Sequence, residues 1–119
     1  MTDEDLSESQ WENIQKRTQD FSELLNNIES LDDKKRRLWL EIYQNAITDR
    51  QHAYAMFLEL TAIVKGKSTE HAVHGKTIAT YIERMSRAND QLIKLAELVA
   101  KADRPNDVGP EELFDRIKN

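Results

Sequence analysis

The chain has 119 residues, of which 33% are charged and 7% are aromatic, and its formal net charge is −5. It contains no Cys, which excludes disulfides, thiolate zinc sites and thiol nucleophiles. With only three Gly and two Pro among many Ala, Leu, Glu and Lys residues, the composition favours one all-α domain. Because no run of about 18 apolar residues occurs and the N-terminus is acidic, we expect neither a transmembrane span nor a signal peptide. A cytoplasmic protein is the default expectation.

Charge is distributed unevenly and divides the chain into three segments. Residues 1–33, an acidic N-terminal helical arm, hold ten acidic and two basic side chains. Residues 34–103, the predicted helical hairpin, hold twelve basic and eight acidic side chains. Residues 104–119, a linker and a short C-terminal helix, hold four acidic and three basic side chains. The net negative charge argues against nucleic-acid binding, whereas the mildly basic central segment keeps it open.

The first predicted helix begins at Ser7. An S-x-x-Q capping box starts at this residue, and Leu6 and Trp11 occupy the two positions of a hydrophobic staple. Apolar residues then recur at three-four spacing until the helix ends near Ser30. Residues 32–33 supply a candidate N-cap for the next helix.

Two long amphipathic helices follow, joined by a short turn. The first extends to about Lys65, with Gly66 as its C′ residue. Ser68 or Thr69 caps the second, which runs to about Ala102. These features predict a long antiparallel hairpin that resembles a coiled coil.

Apolar rows along both helices predict how the hairpin packs. The row predicted for the second helix is Ile78, Ile82, Met85, Asn89, Leu92, Ala96 and Val99. Two adjacent rows are predicted for the first helix: Trp39, Ile42, Ala46, Asp49, Ala53, Met56, Leu60 and Ile63, and beside them Leu40, Tyr43, Ile47, Tyr54, Phe57 and Val64. Two rows make a face wider than one partner helix can cover. We therefore expect the remaining apolar surface to pack against other copies of the chain, and aromatic side chains to pack between helices or between subunits.

Polar residues interrupt these apolar rows. In an antiparallel hairpin, Asp49 or Arg50 of the first helix comes close to Arg84, Arg87 or Asn89 of the second. One interpretation is a polar layer that determines the register of the two helices. The alternative is a set of ordinary exposed positions.

The basic run Lys34, Lys35, Arg36 and Arg37 also has two interpretations. It is either a solvated run that balances the acidic first helix or a cluster that contacts phosphates. His71 and His74, with Glu70 nearby, have the spacing of a metal pair, but surface histidines are far commoner. The sequence shows no catalytic motif, so we expect no enzymatic activity, no metal and no cofactor.

Several segments resemble the small terminase subunits of T-even-like tailed myophages. The resemblance lies in residues 68–71 (STEH), the helix over residues 78–85 and the following residues 86–95 (SRANDQLIKL). The tail, residues 108–117 (VGPEELFDRI), is similar to the C-terminal segment of that family. No such match is found for the first helix, and no helix-turn-helix is evident in it.

Membership of this family implies a non-catalytic adaptor in the host cytoplasm, with no cofactor and no membrane association. Such subunits form homo-oligomeric rings through a central helical hairpin, bind double-stranded viral DNA and regulate the large terminase subunit, which is an ATPase and nuclease. The implied DNA contacts are Lys34, Lys35, Arg36, Arg37, Lys65 and Lys67. The implied ring contacts are Trp39, Tyr43, Tyr54, Phe57, Tyr81, Met85 and Leu92. The implied docking residues for the large subunit are Leu113, Phe114 and Ile117. The alternative is a coiled-coil scaffold or chaperone that binds only protein.

Overall fold

The computed structural model describes residues 6–103, which form three α-helices and contain no strand. Helix α1 spans Glu8–Asn26, α2 spans Asp33–Val64 and α3 spans Ser68–Ala102. The all-α prediction is therefore confirmed for this part of the chain. The predicted linker and C-terminal helix, residues 104–119, lie outside the described residues.

Helix α1 starts where predicted because its first turn satisfies its own backbone groups. The Ser7 hydroxyl accepts a hydrogen bond from the Gln10 N–H at 3.2 Å, and the Ser7 N–H donates to Gln10 Oε1 at 2.8 Å. An N-cap of this kind contributes about 1 kcal/mol. Leu6 and Trp11 belong to one apolar cluster with Ile47 of α2, so the first turn also attaches α1 to α2.

The end of α1 differs from the prediction. The helix ends at Asn26, before the expected end near Ser30. The chain then turns, and Ile28 and Leu31 are buried in the same core cluster as Trp39 of α2. Burial of these two side chains against the start of α2 stabilises the reversal of chain direction.

Both ends of α2 agree with the prediction. The helix begins at Asp33, and the carboxylate of its N-cap, Asp32, accepts a hydrogen bond from the Lys35 N–H at 2.8 Å. It ends at Val64, and Gly66 adopts a φ of 73°. A positive φ of this size suits Gly at a helix C′ position, because Gly has no Cβ to clash with the backbone.

Helix α3 ends at Ala102 as predicted, but its predicted cap is wrong. The helix already includes Ser68, and its N-cap is Lys67, with no capping hydrogen bond from the side chain. A lysine ammonium carries only donors, so it cannot accept a bond from the free N–H groups of the first turn. Thr69 lies within the helix as well, one residue further from the cap than Ser68.

The row of α3 side chains that faces α2 also differs in part from the prediction. Met85 and Leu92 of the predicted row are half-buried. However, Ile82 is 49% exposed, and the buried positions include Ala88 and Leu95, one heptad apart and outside the predicted row. Spacing by four and three identifies an amphipathic helix, but it does not decide which of two adjacent rows meets the partner.

Helices α2 and α3 form the predicted antiparallel hairpin, and α1 packs along the first half of α2. The Trp11 ring lies 6.3 Å from the His52 ring, and the Phe21 ring stacks on Tyr43 at 4.2 Å. These two pairs show that α1 runs antiparallel to α2. Helix α1 therefore covers part of the second apolar row of α2, including the buried Ile47, within one copy of the chain.

Beyond α1 the hairpin continues as two helices only. Helix α1 begins at Glu8, close to the level of His52, so the described chain places no third helix against residues 56–81. We call residues 56–81 the two-helix arm. The arm lies at one end of the described part of the molecule and the three-helix part at the other.

Candidate functional site

One residue of the basic run has a structural role. The Arg36 guanidinium donates hydrogen bonds to the carbonyl oxygens of Leu31 at 2.9 Å and of Ile28 and Leu25 at 3.4 Å. It also pairs with the Asp33 carboxylate at 2.6 Å, and its side chain is only 23% exposed. Arg36 therefore closes the turn between α1 and α2, and its donors are already engaged within the chain.

The other three cations of the run are exposed at the open end of the hairpin. Lys34 and Arg37 are exposed, and Lys35 is exposed while its ammonium lies 6.0 Å from the centre of the Trp39 ring. None of the three has a resolved ion-pair partner within the described residues. A phosphate-binding cluster at this end would therefore consist of three cations instead of the predicted four.

The predicted cations at the tip of the hairpin, Lys65 and Lys67, are exposed as well. They lie at the opposite end of α2, whose 32 residues span about 48 Å at 1.5 Å per residue. A duplex rises about 3.4 Å per base pair, so a single straight duplex would have to extend over roughly 14 base pairs to contact both groups. The two groups are therefore separate surfaces at opposite ends of α2, as the predicted bounds of that helix imply.

A polar layer crosses the hairpin near its middle. Arg84 of α3 forms an ion pair with Asp49 of α2, and Arg50 Nη1 donates a hydrogen bond to Asn89 Oδ1 at 2.9 Å. The predicted proximity of these residues is therefore confirmed. Because both pairs join positions on different helices, a shift of one helix along the other would break them, which supports the register interpretation.

Three of the predicted ring contacts are engaged within the protomer. Trp39 is 7% exposed and lies in the core cluster at the open end, and Tyr43 stacks on Phe21 of α1. Leu92 packs against the cluster that contains Ile47. The first helix, whose three-four spacing predicts an apolar face, thus helps to cover part of the surface expected to meet another subunit.

The other predicted ring contacts lie on or beside the two-helix arm. Tyr54 is 46% exposed, and Phe57 and Met85 are half-buried. Tyr81 is half-buried and lies 5.9 Å from the Arg84 guanidinium. These side chains retain surface on a part of the hairpin that α1 does not cover.

Further apolar side chains are exposed at positions outside the predicted ring contacts. On the arm they are Leu58, Ile63 and Val73, and Ile82 borders the arm. On the three-helix part they are Leu24, Leu38, Ile93 and Leu98. Several of these fall outside every predicted row, and a search for apolar residues off the main rows would have found them.

An open groove of about 410 Å³ lies between α2 and α3 near the open end. Its lining residues are Ile42, Asn45, Gln91, Lys94, Leu95 and Leu98. Lys94 is the only charged side chain among them. The groove is thus largely apolar, with one cation at its edge.

The two histidines with metal-pair spacing, for which no metal was expected, do not gather further ligands in the described chain. His74 Nε2 lies 3.1 Å from the Glu70 carboxylate, one helical turn earlier, and His71 is exposed. Among residues 6–103, no three His, Asp or Glu side chains are grouped closely enough to hold a metal ion. His52 has a buried Nε2 without a hydrogen-bond partner, but its ring packs edge-on against Trp11.

Comparison with protein-family models, with curated proteins and with solved structures finds no match. Within residues 6–103, no helix has a stretch that is both long and apolar enough to cross a membrane. The features of the described chain that bear on function are the hairpin, its exposed apolar side chains and its two groups of cations.

Proposed function

We propose that this chain is a small terminase subunit of tailed bacteriophages. In this role it is a non-catalytic adaptor that forms a homo-oligomeric ring, binds double-stranded viral DNA and regulates the ATPase and nuclease of the large terminase subunit in the host cytoplasm. The residues that resemble this family, in α3 and in the tail, are one basis of the proposal. The shape of the hairpin is the other.

The observation that supports the proposal most is the two-helix arm. A hairpin that extends beyond its third helix leaves both flanks of the arm open, and Leu58, Ile63 and Val73 are exposed there. Soluble monomers seldom expose contiguous apolar patches larger than a few hundred Å². Contact between one flank of an arm and the opposite flank of the next is heterologous, and such contacts close into a ring when the rotation between neighbours permits it.

The charged groups are compatible with contacts to DNA phosphates. In a ring, Lys34, Lys35 and Arg37 repeat once per subunit at one end of the hairpin. Repetition of these cations in every subunit raises the density of positive charge at that end of the ring, although one chain carries a net charge of −5. Binding of this kind depends on phosphates and not on base sequence, so it weakens steeply with salt.

The proposed regulatory role can be tested with a phage large terminase subunit. We expect the full chain to stimulate its ATPase activity and a variant lacking residues 109–119 to lose this stimulation, because the tail carries the proposed docking residues Leu113, Phe114 and Ile117. The control is the oligomeric state of the truncated variant, which should not change. Stimulation that survives the truncation would show that the tail is not the docking segment, and no stimulation by the full chain would overturn the regulatory role.

A protein-binding scaffold without DNA binding is the second candidate. The observation in its favour is charge: residues 1–33 hold ten acidic and two basic side chains, and Arg36 is engaged within the chain. A filter-binding measurement with duplex DNA separates the candidates, because a scaffold would bind no DNA even at low salt.

A further inference from the structure

The groove between α2 and α3 near the open end has no occupant among the described residues. It is a largely apolar depression on the three-helix part, and Leu98 at its edge is 49% exposed. Its position matters because α3 ends only one turn after Leu98, at Ala102. The chain therefore leaves the described structure beside the groove.

We propose that residues 111–117 of the same chain dock in this groove. The occupant is thus an intramolecular segment with an apolar face and carboxylates, and the groove is its binding surface. The proposal does not depend on the function proposed above, because it concerns contacts within one chain. If both are correct, docking withholds the tail from a partner until the groove releases it.

The length of the linker permits this docking. Leu98 and Gln91 lie about 7 and 18 Å along the helix axis from Asp103, at 1.5 Å per residue. Residues 104–110 can span up to about 24 Å when extended, at 3.3–3.6 Å per residue. As a helix, residues 111–117 would be about 10 Å long, which matches the axial distance between Gln91 and Leu98.

The chemistry of the segment complements that of the groove. In a helix, Leu113, Phe114 and Ile117 fall on one face through i, i+3 and i, i+4 spacing. This face suits the apolar floor formed by Ile42 and Leu95. The remaining positions of the segment include three carboxylates and one cation, whereas the groove carries a single cation. Those charges are Glu111, Glu112, Asp115 and Arg116 in the segment and Lys94 in the groove.

Because the tail and the groove belong to one chain, the tail can occupy the groove even if its intrinsic affinity is weak. A short flexible linker gives an effective concentration on the order of 1 mM. A groove with an intrinsic Kd of about 0.1 mM would then be occupied in roughly nine chains out of ten. A separate molecule at micromolar concentration would need to bind far more tightly to displace the tail.

Disulfide trapping tests the proposal on the full chain, which contains no Cys. The test variant combines Gln91→Cys in the groove with Phe114→Cys in the tail. The matched control combines Ala96→Cys with Phe114→Cys: Ala96 is exposed on the same helix, lies nearer to the tail and does not line the groove. We expect intrachain cross-links in the test variant to form about 10-fold faster than in the control, because docking raises the local concentration at the groove alone.

Two further variants make the result decisive. Leu113→Asp with Ile117→Asp, added to the test variant, should lower its rate to that of the control. Asn45→Cys, on the opposite wall, should replace Gln91→Cys without loss of the effect. Equal intrachain rates in test and control variants would overturn the proposal. Cross-links formed only between chains, seen when separately made Gln91→Cys and Phe114→Cys proteins are mixed, would overturn it in favour of docking by a second copy.

Discussion

At the residue scale, the most informative side chain is Arg36, because its neighbours in the basic run are exposed and it is not. We expect Arg36→Ala to lower the free energy of unfolding by about 1–3 kcal/mol, since carbonyl oxygens at the end of α1 and in the turn that follows it lose their donor. The matched control is Arg37→Ala, which should change stability by less than about 0.5 kcal/mol because Arg37 is exposed. Urea denaturation measures both. Equal effects would contradict the assigned role of Arg36.

The ion pair between Asp49 and Arg84 leads to a smaller predicted effect. Both side chains are partly exposed, at 45% and 29%, so solvent screens their attraction. A double-mutant cycle with Asp49→Ala and Arg84→Ala should give a coupling free energy of about 0.2–1 kcal/mol that decreases with added salt. A coupling that is several-fold larger and insensitive to salt would indicate a pair shielded from solvent.

At the element scale, the attachment of α1 to the hairpin can be tested with two adjacent leucines. Leu25 is 0% exposed in the core cluster, whereas Leu24 is 45% exposed. We expect Leu25→Ala to cost about 2–5 kcal/mol of stability through reduced burial and an unfilled cavity, and Leu24→Ala to cost less than about 1 kcal/mol. Thermal or urea unfolding measures the difference. Similar small losses for both variants would mean that α1 is not packed on the hairpin.

The elements also show what sequence reasoning can and cannot find. The start of α1 at Ser7 and the turn at Gly66 were predicted correctly, because capping and positive φ are local properties of a few residues. The α3 row was predicted only in part. Ile82 was placed in the row but is 49% exposed, whereas Ala88 was left out of it but is buried. Two adjacent rows of similar hydrophobicity can be told apart only once the partner helix is known.

In the candidate site, too, contacts that follow from residue spacing were predictable, whereas contacts that depend on the folded chain were not. The proximity of Asp49 and Arg84 followed from counting residues on each side of a single turn, so it was predictable. The inward position of Arg36 depends on carbonyl oxygens at the end of α1 and in the following turn, which converge on the guanidinium only after the chain has reversed direction. No pattern within the basic run distinguishes this arginine from Arg37.

At the scale of the whole molecule, the cations at the open end predict a salt-dependent interaction with duplex DNA. We expect the combined changes Lys34→Gln, Lys35→Gln and Arg37→Gln to weaken binding and to flatten the slope of log K against log salt by about 0.9 for each phosphate that is no longer neutralised. Fluorescence anisotropy at several salt concentrations measures the slope. A control variant removes three exposed cations elsewhere: Lys16, Arg17 and Lys76. Equal weakening of binding in both variants would indicate an effect of net charge instead of a site.

The molar mass of the full chain in solution, measured by light scattering after size-exclusion chromatography at micromolar concentration, tests ring formation most directly. We expect a closed assembly of many subunits, because the flanks of the two-helix arm are open in a single copy. Tyr54→Glu with Leu58→Glu should break the assembly without unfolding the chain, whereas Leu24→Glu on α1 should leave it intact. A monomer of 13.9 kDa for the unmodified chain would contradict the proposed ring.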